Sequence, residues 1–248
     1  MPGAHPQDVR GLEEIAARTW RGLEEERYGD WLLRAGGGFS GRANSALVVG
    51  DAPGSLAEAV VTVAGWYAAR GLVPRAQLPG PPGAADAAFA AAGWPRAEDV
   101  LVLTAPLPRW PAPDVPVDLS PAPDAAWLAG YRYRGAALPP EAEAVLVRAR
   151  DPLFASARPD PAPAPPAAVA RGAVEDGWLV ITAVTVAEEF RRRGLARAVM
   201  AALAAAGRER GAHSCLLQVS EDNEPALALY ARLGFTEHHR YHYRTAPA

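Results

Sequence analysis

The stretch that decides how this chain is read is Val184-Thr-Val-Ala-Glu-Glu-Phe-Arg191-Arg-Arg-Gly194-Leu-Ala196. It begins inside an apolar, β-branched run from Trp178 to Val186. Such a run predicts a central strand buried on both faces. It ends at the start of a long segment from Leu195 to Arg210 that reads as helix, closed by Gly211. A glycine there suits the left-handed conformation that helix ends often need. Between the two lie three arginines. The first turn of a helix presents unpaired N–H groups and about half a positive charge. Gly194 and Ala196 leave room for a pyrophosphate to approach those groups. Arg191, Arg192 and Arg193 add fixed positive charge. The segment therefore reads as an anion cradle. Taken alone, an arginine triplet would more simply be a solvated basic turn before an amphipathic helix.

A second segment follows: Asn223-Glu-Pro-Ala226-Leu-Ala-Leu-Tyr230-Ala-Arg-Leu-Gly234-Phe235. Its pattern predicts a helix from about Pro225 to Leu233, with Asn223 placed to cap it. Ala226, Tyr230 and Leu233 share one face, so Tyr230 as a core aromatic is the plain reading. Together the two segments resemble the GNAT superfamily of acyl-CoA-dependent N-acyltransferases. The first matches its Arg/Gln-x-x-Gly-x-Gly/Ala loop with Arg191, Gly194 and Ala196. The second matches its Asn-x-x-Ala-x-x-x-Tyr-x-x-x-Gly-Phe pattern. The resemblance covers about Leu153 to Arg244 and is faint before residue 112. One departure stands in the loop, where Glu188 occupies a place that is often proline in the family.

The resemblance implies a fold, a co-substrate and roles. The fold is α/β: a mixed, mostly antiparallel central sheet flanked by helices. The reaction is direct transfer of an acetyl group from acetyl-CoA to a primary amine. Val184, Thr185 and Val186 would pair with the pantetheine arm, and the Val184 N–H would polarise the thioester carbonyl. Arg191, Arg192, Arg193, Gly194, Leu195, Ala196 and Arg197 would hold the pyrophosphate. Asn223 and Ala226 would border the cofactor. Tyr230 would protonate the departing thiolate. Trp127, Tyr131, Tyr133, Gln218 and Ser220 are candidates for the acceptor site, although core packing is the plainer reading of the aromatics. No general base stands out. Glu175, Asp176, Glu221 and Asp222 are the nearby carboxylates.

Outward from these motifs, the chain repeats itself. Gly54 and Gly71 recur at a constant offset as Gly194 and Gly211, and Phe89 and Gly93 recur one position further on as Tyr230 and Gly234. The expected organisation is a degenerate GNAT-like half over 1–112 and a catalytic domain over 113–248. In the first half Asp51 stands in place of Arg191, Phe89 in place of Tyr230 and Pro82 in place of Asn223. No acyl-CoA site is expected there. The acidic run Glu24–Glu26 reads as a solvated stretch on or just after the first helix.

Composition bounds the rest. The chain has 248 residues and a net charge of −3, which argues against a dedicated nucleic-acid binder. All 25 basic residues are arginine, so a Gly-Lys-Ser/Thr nucleotide loop is excluded. The single Cys215 excludes a multi-cysteine zinc site and has no evident activating partner. His238, His239 and His242 alternate on a predicted strand, with His239 facing away from the others, so no metal is expected. No apolar span or signal core is seen, so a soluble cytoplasmic protein is expected, with room for a homodimer. The rival reading is a non-catalytic acyl-CoA-binding or regulatory module.

Overall fold

Local sequence sets most elements in this computed structural model, which describes residues 8–111, 114–131, 138–159 and 165–247. Helix α1 (Val9–Thr19) starts where Asp8 accepts the Gly11 N–H at 2.7 Å. Strands β1 (Glu24–Tyr28) and β2 (Trp31–Ala35) form a hairpin turned at Gly29, whose φ is 61°. Then come β3 (Ala46–Leu47), α2 (Leu56–Ala68), β4 (Arg75–Pro79), α3 (Ala84–Ala91) and β5 (Val100–Pro106). The second half carries β6 (Val117–Ser120), α4 (Ala125–Gly130), α5 (Ala142–Leu146), β7 (Leu153–Ala157), β8 (Ala168–Glu175) and β9 (Trp178–Val186). It closes with α6 (Leu195–Glu209), β10 (Ser214–Ser220), α7 (Glu224–Arg232) and β11 (Thr236–Thr245).

The acidic run corrects one expectation. Glu24–Glu26 is solvated, as expected, but it is not helical or a loose stretch after the helix; it begins the edge strand β1, paired with β2. Charged side chains suit a sheet edge, because they stay in water and discourage pairing with another chain. The glutamates are also engaged: Glu24 pairs with Arg70, Glu25 with Arg21, and Glu26 accepts the Trp66 indole N–H at 2.6 Å.

Among the described residues one sheet of 11 strands runs β1-β2-β3-β4-β11-β5-β10-β9-β8-β7-β6. Two neighbouring pairs are parallel, β3 with β4 and β9 with β10, each joined through a crossover helix. The other pairs are antiparallel. The last strand of each half is exchanged. β5 lies between β10 and β11, and β11 lies between β4 and β5. The two halves therefore share one continuous sheet. The expected boundary at 112 and 113 lies outside the described residues.

Helix α6 packs on one face of the sheet, where Leu203 meets Leu179, Ile181 and Leu217. Gly172 permits this closeness, since a Cβ there would lie 3.1 Å from side-chain atoms of both Leu179 and Leu203. Helix α1 covers the other face with Leu12 and Ile15 against Val102, Val180 and Leu216. No helix among the described residues is long and apolar enough to cross a membrane.

The histidines depart from the expected alternation. A bulge between Glu237 and His239 interrupts β11. His238 is exposed, His239 sits 2.9 Å from Glu13 on α1, and His242 sits 2.6 Å from Asp86 on α3. Arg244 also donates to Asp86, at 2.6 Å, and this bond with the help of His242 holds the carboxyl at about 2. A lowered carboxylate pKa adds stability above the unfolded value near 4, and that stability is lost as pH falls through about 2. The expected contribution is about 2 kcal/mol. Urea melts between pH 4 and pH 2 should show a steep loss in the wild type and a flatter one in Asp86→Asn.

Candidate active site

The site begins where two strands part. β9 and β10 are bonded over Trp178–Ile181 and Ser214–Leu217. Beyond that point β10 continues beside β5 and β9 beside β8. The cause lies in β9. Ala183 has a φ of 57°, and the register against β8 shifts between Val169 and Arg171. Such a bulge bends a strand and sharpens its twist. Val184, Thr185 and Val186 follow it, half-buried, on an edge with no β10 ladder among the described residues. An extended amide chain could add to such an edge as a further strand.

The chain then makes a short 3-10 turn, Glu188–Phe190, and enters the arginine loop. Arg192 and Gly194 take left-handed φ values of 61° and 76°. Gly194 is the N-cap of α6, and no side chain caps the helix. Its first bond runs from the Ala198 N–H to the Gly194 carbonyl. The N–H groups of Leu195, Ala196 and Arg197 thus have no protein acceptor among the described residues. Arg191, Arg192, Arg193 and Arg197 are exposed. Arg193 lies over the Phe190 ring at 5.3 Å. The result is a helix start open to an anion.

The matching helix in the first half is closed. Ser55 caps α2 by accepting from the Glu58 N–H, and the Glu58 carboxylate accepts the Ser55 N–H at 3.0 Å. The capping box satisfies the Ser55 and Glu58 N–H groups, and it places the helix's own carboxylate where an anion would bind. This Ser-x-x-Glu capping box was legible in the sequence as a local signal. Strand β3 is two residues long and offers no counterpart to the free edge of β9.

On α7, Tyr230 is 8% exposed and packs edge-on against Phe235 at 5.9 Å. Val184, Val186, Phe190 and Ala226 pack against the cluster that contains Tyr230 and Leu195. Burial keeps the Tyr230 phenol protonated by raising its pKa to about 12. Asn223 caps α7, accepting the Ala226 N–H at 3.3 Å. Cys215 is fully buried, and desolvation raises its thiol pKa.

Across the sheet from α6, Gln218 and Ser220 line a cleft of about 400 Å³ together with Ser40, Arg42, Tyr241 and Tyr243. Arg42 donates to Gln218 Oε1 at 2.7 Å. Trp127 and Tyr131 do not line this cleft; they lie in a core cluster with Phe154 that also holds Trp20 and Phe39, and the Trp127 indole N–H donates to the Ala155 carbonyl at 3.0 Å. Tyr133 falls outside the described residues. Three of the nearby carboxylates are engaged: Glu175 and Asp176 pair with Arg18, and Glu221 pairs with Arg240. Sequence reasoning did not single out Arg42, Trp20 or Arg171, which meet on this face from distant parts of the chain.

The architecture is that of the GNAT class. A GCN5-related N-acetyltransferase from Kribbella flavida shares it with a TM-score of 0.71 at 19% identity, over 98% of this chain and 97% of that one. A tandem GNAT protein from the clavulanic acid biosynthesis pathway aligns with a TM-score of 0.61 at 19% identity, over 99% of this chain and 91% of that one. Sequence carries the assignment further. A family profile described as "Probable histone acetyltransferase Rv0428c C-terminal" matches residues 7–244. The probable histone acetyltransferase Rv0428c of Mycobacterium tuberculosis is 33% identical over 248 aligned residues, spanning 97% of this chain and 74% of that protein. The chain belongs to this family and is a GNAT-family N-acetyltransferase.

Proposed function

We propose that the chain transfers an acetyl group from acetyl-CoA directly to a primary amine, using one site in its second half. The observation that carries this reading is the uncapped start of α6 beside the free edge of β9. Acetyl-CoA is a substrate here, consumed in each turnover. The N–H groups of Leu195 to Arg197 and the guanidinium groups of Arg191–Arg193 bind its pyrophosphate. The edge from Val184 to Val186 pairs with the pantetheine amides. The degenerate half, ending near residue 112, supplies β5 and the Arg42 loop and binds no acyl-CoA.

The chemistry follows from the same groups. A neutral amine attacks the thioester carbonyl, and the Val184 N–H donates to the oxygen as negative charge develops there. Such a donor is worth about 10²–10³ in rate. The C–S bond breaks as the amide forms. Tyr230 gives its phenolic proton to the departing sulfur, and solvent takes the proton lost by the amine and restores the phenol. Transfer from a phenol at about 12 to an ordinary thiol near 8.5 would be uphill. The sulfur, however, is expelled into the same apolar surroundings that raise the phenol, so its basicity rises for the same reason.

Calorimetric titration of acetyl-CoA into the wild type and into Arg191→Glu tests the reading. One equivalent bound by the wild type, with most affinity lost in the variant, is expected. Absence of binding to the wild type would overturn it. Binding without thiol release for any amine would favour the non-catalytic acyl-CoA-binding reading.

A further inference from the structure

Two buried side-chain nitrogens among the described residues have no hydrogen-bond partner, Arg171 Nη2 and Gln218 Nε2. Both side chains belong to the face opposite α6. Arg171 lies across from Thr182, two residues beyond Val180. Gln218 lies two residues beyond Leu216, and Val180 and Leu216 both pack on α1. Arg42 and Trp20 connect the pair. Arg42 holds the Gln218 carbonyl oxygen, and its guanidinium carbon is 4.9 Å from the Trp20 ring centre. The guanidinium carbon of Arg171 is 5.1 Å from the same centre. The Trp20 indole N–H donates at 2.8 Å to Ser40, which lines the cleft beside Arg42 and Gln218.

Arg171 is fully buried, and its bonds are to neutral groups. Nε donates to the Leu146 carbonyl at 2.7 Å, and Nη1 lies 3.5 Å from Thr182 Oγ1. Among the described residues no carboxylate pairs with it. Burial, helped by the charge of Arg42, lowers its pKa to about 9, so it remains a cation at neutral pH. A buried cation beside a second cation is strongly unfavourable without a counter-ion. Guanidinium groups also match the planar oxygens of carboxylates and phosphates.

We infer that the acceptor carries an oxyanion, a carboxylate or a phosphate, which Arg42 and the Gln218 amide bind in the cleft beside Ser40, while the buried charge of Arg171, which does not itself line the cleft but lies against the same Trp20 ring, favours the anion there. The inference rests on the acetyl-transfer reading and adds the substrate class. A free amino acid or an amino phosphate fits this chemistry; a lysine-rich tail, cationic itself, does not.

The test has two readouts. The first is thiol release from acetyl-CoA with the twenty standard amino acids against their carboxamides, and with O-phosphoethanolamine against ethanolamine. At least one acid should exceed its neutral partner by tenfold or more in kcat/KM, with the carboxylate and phosphate arms separating the two sources. Arg171→Gln and Arg42→Gln should erase that preference while acetyl-CoA still binds. The second readout is thermal melting in inorganic phosphate or malonate against chloride at equal ionic strength, without acetyl-CoA and in an Arg191→Glu background that disables the anion cradle at the start of α6. That background should gain several degrees, and it should not once Arg42→Gln or Arg171→Gln is added. Equal turnover of neutral and acidic acceptors, turnover of a lysine peptide alone, or an anion shift that survives both substitutions overturns the inference. So does an acetyl-CoA-bound protein that turns over no acid. Loss of acetyl-CoA binding in the wild type overturns the acetyl-transfer reading instead, and the anion melt still decides whether the cleft at Arg42 binds an oxyanion.

Discussion

Tyr230→Phe should lower kcat by about 10²–10⁴ and leave acetyl-CoA affinity within about threefold of wild type. The substitution removes one oxygen that makes no hydrogen bond among the described residues, so the helix and its packing on Phe235 persist. The melting temperature should stay unchanged, which separates loss of a proton donor from loss of structure. The pH profile adds a check. A raised phenol pKa keeps the donor form populated until pH approaches about 12. The wild-type kcat should therefore show no falling limb from this group between pH 6 and pH 10. Any limb that does appear there belongs to another group and should survive in the Phe variant. Steady-state thiol release across that range, beside calorimetric Kd values, measures both. An unchanged kcat in the variant would remove Tyr230 from the chemistry.

Ala196→Asp should weaken acetyl-CoA binding by two powers of ten or more while leaving the fold as stable as before, or slightly more so. Ala196 lies in the first turn of α6, directly after the uncapped Gly194. A carboxylate there is favourable for the helix, by about 0.3–1 kcal/mol, because it meets the positive end of the dipole. The same carboxylate would stand in the turn that is proposed to meet the pyrophosphate. At an effective dielectric of 20, each like-charge pair about 5 Å apart costs about 3 kcal/mol. The opposite signs of the two effects make the variant informative. Calorimetry should lose the binding heat while the thermal melt holds or rises. Retained binding would place the diphosphate elsewhere.

The two motifs were legible because each is built from contiguous chain. A strand end, a loop and a helix start give one continuous pattern over Val184 to Ala196, and the α7 pattern from Asn223 to Phe235 is likewise local. The closed start of α2 is equally local, in the Ser55–Glu58 capping box. The edge strand β1 was not legible in the same way. A Glu-Glu-Glu run carries no apolar alternation, and it becomes a strand through pairing with β2 across the Gly29 turn.

By itself the sequence determined the class of protein, the order of its elements apart from β1, and the loop proposed to meet an anion, since these depend on local pattern and on glycine at one left-handed position. Only the tertiary structure decided that the halves exchange β5 and β11, that β9 parts from β10 beyond Ile181, and that Arg42, Trp20, Arg171 and Gln218 meet. The physical reason is separation along the chain. Those contacts join segments that no short window contains, and a buried arginine without a counter-ion is visible only once its neighbours are in place.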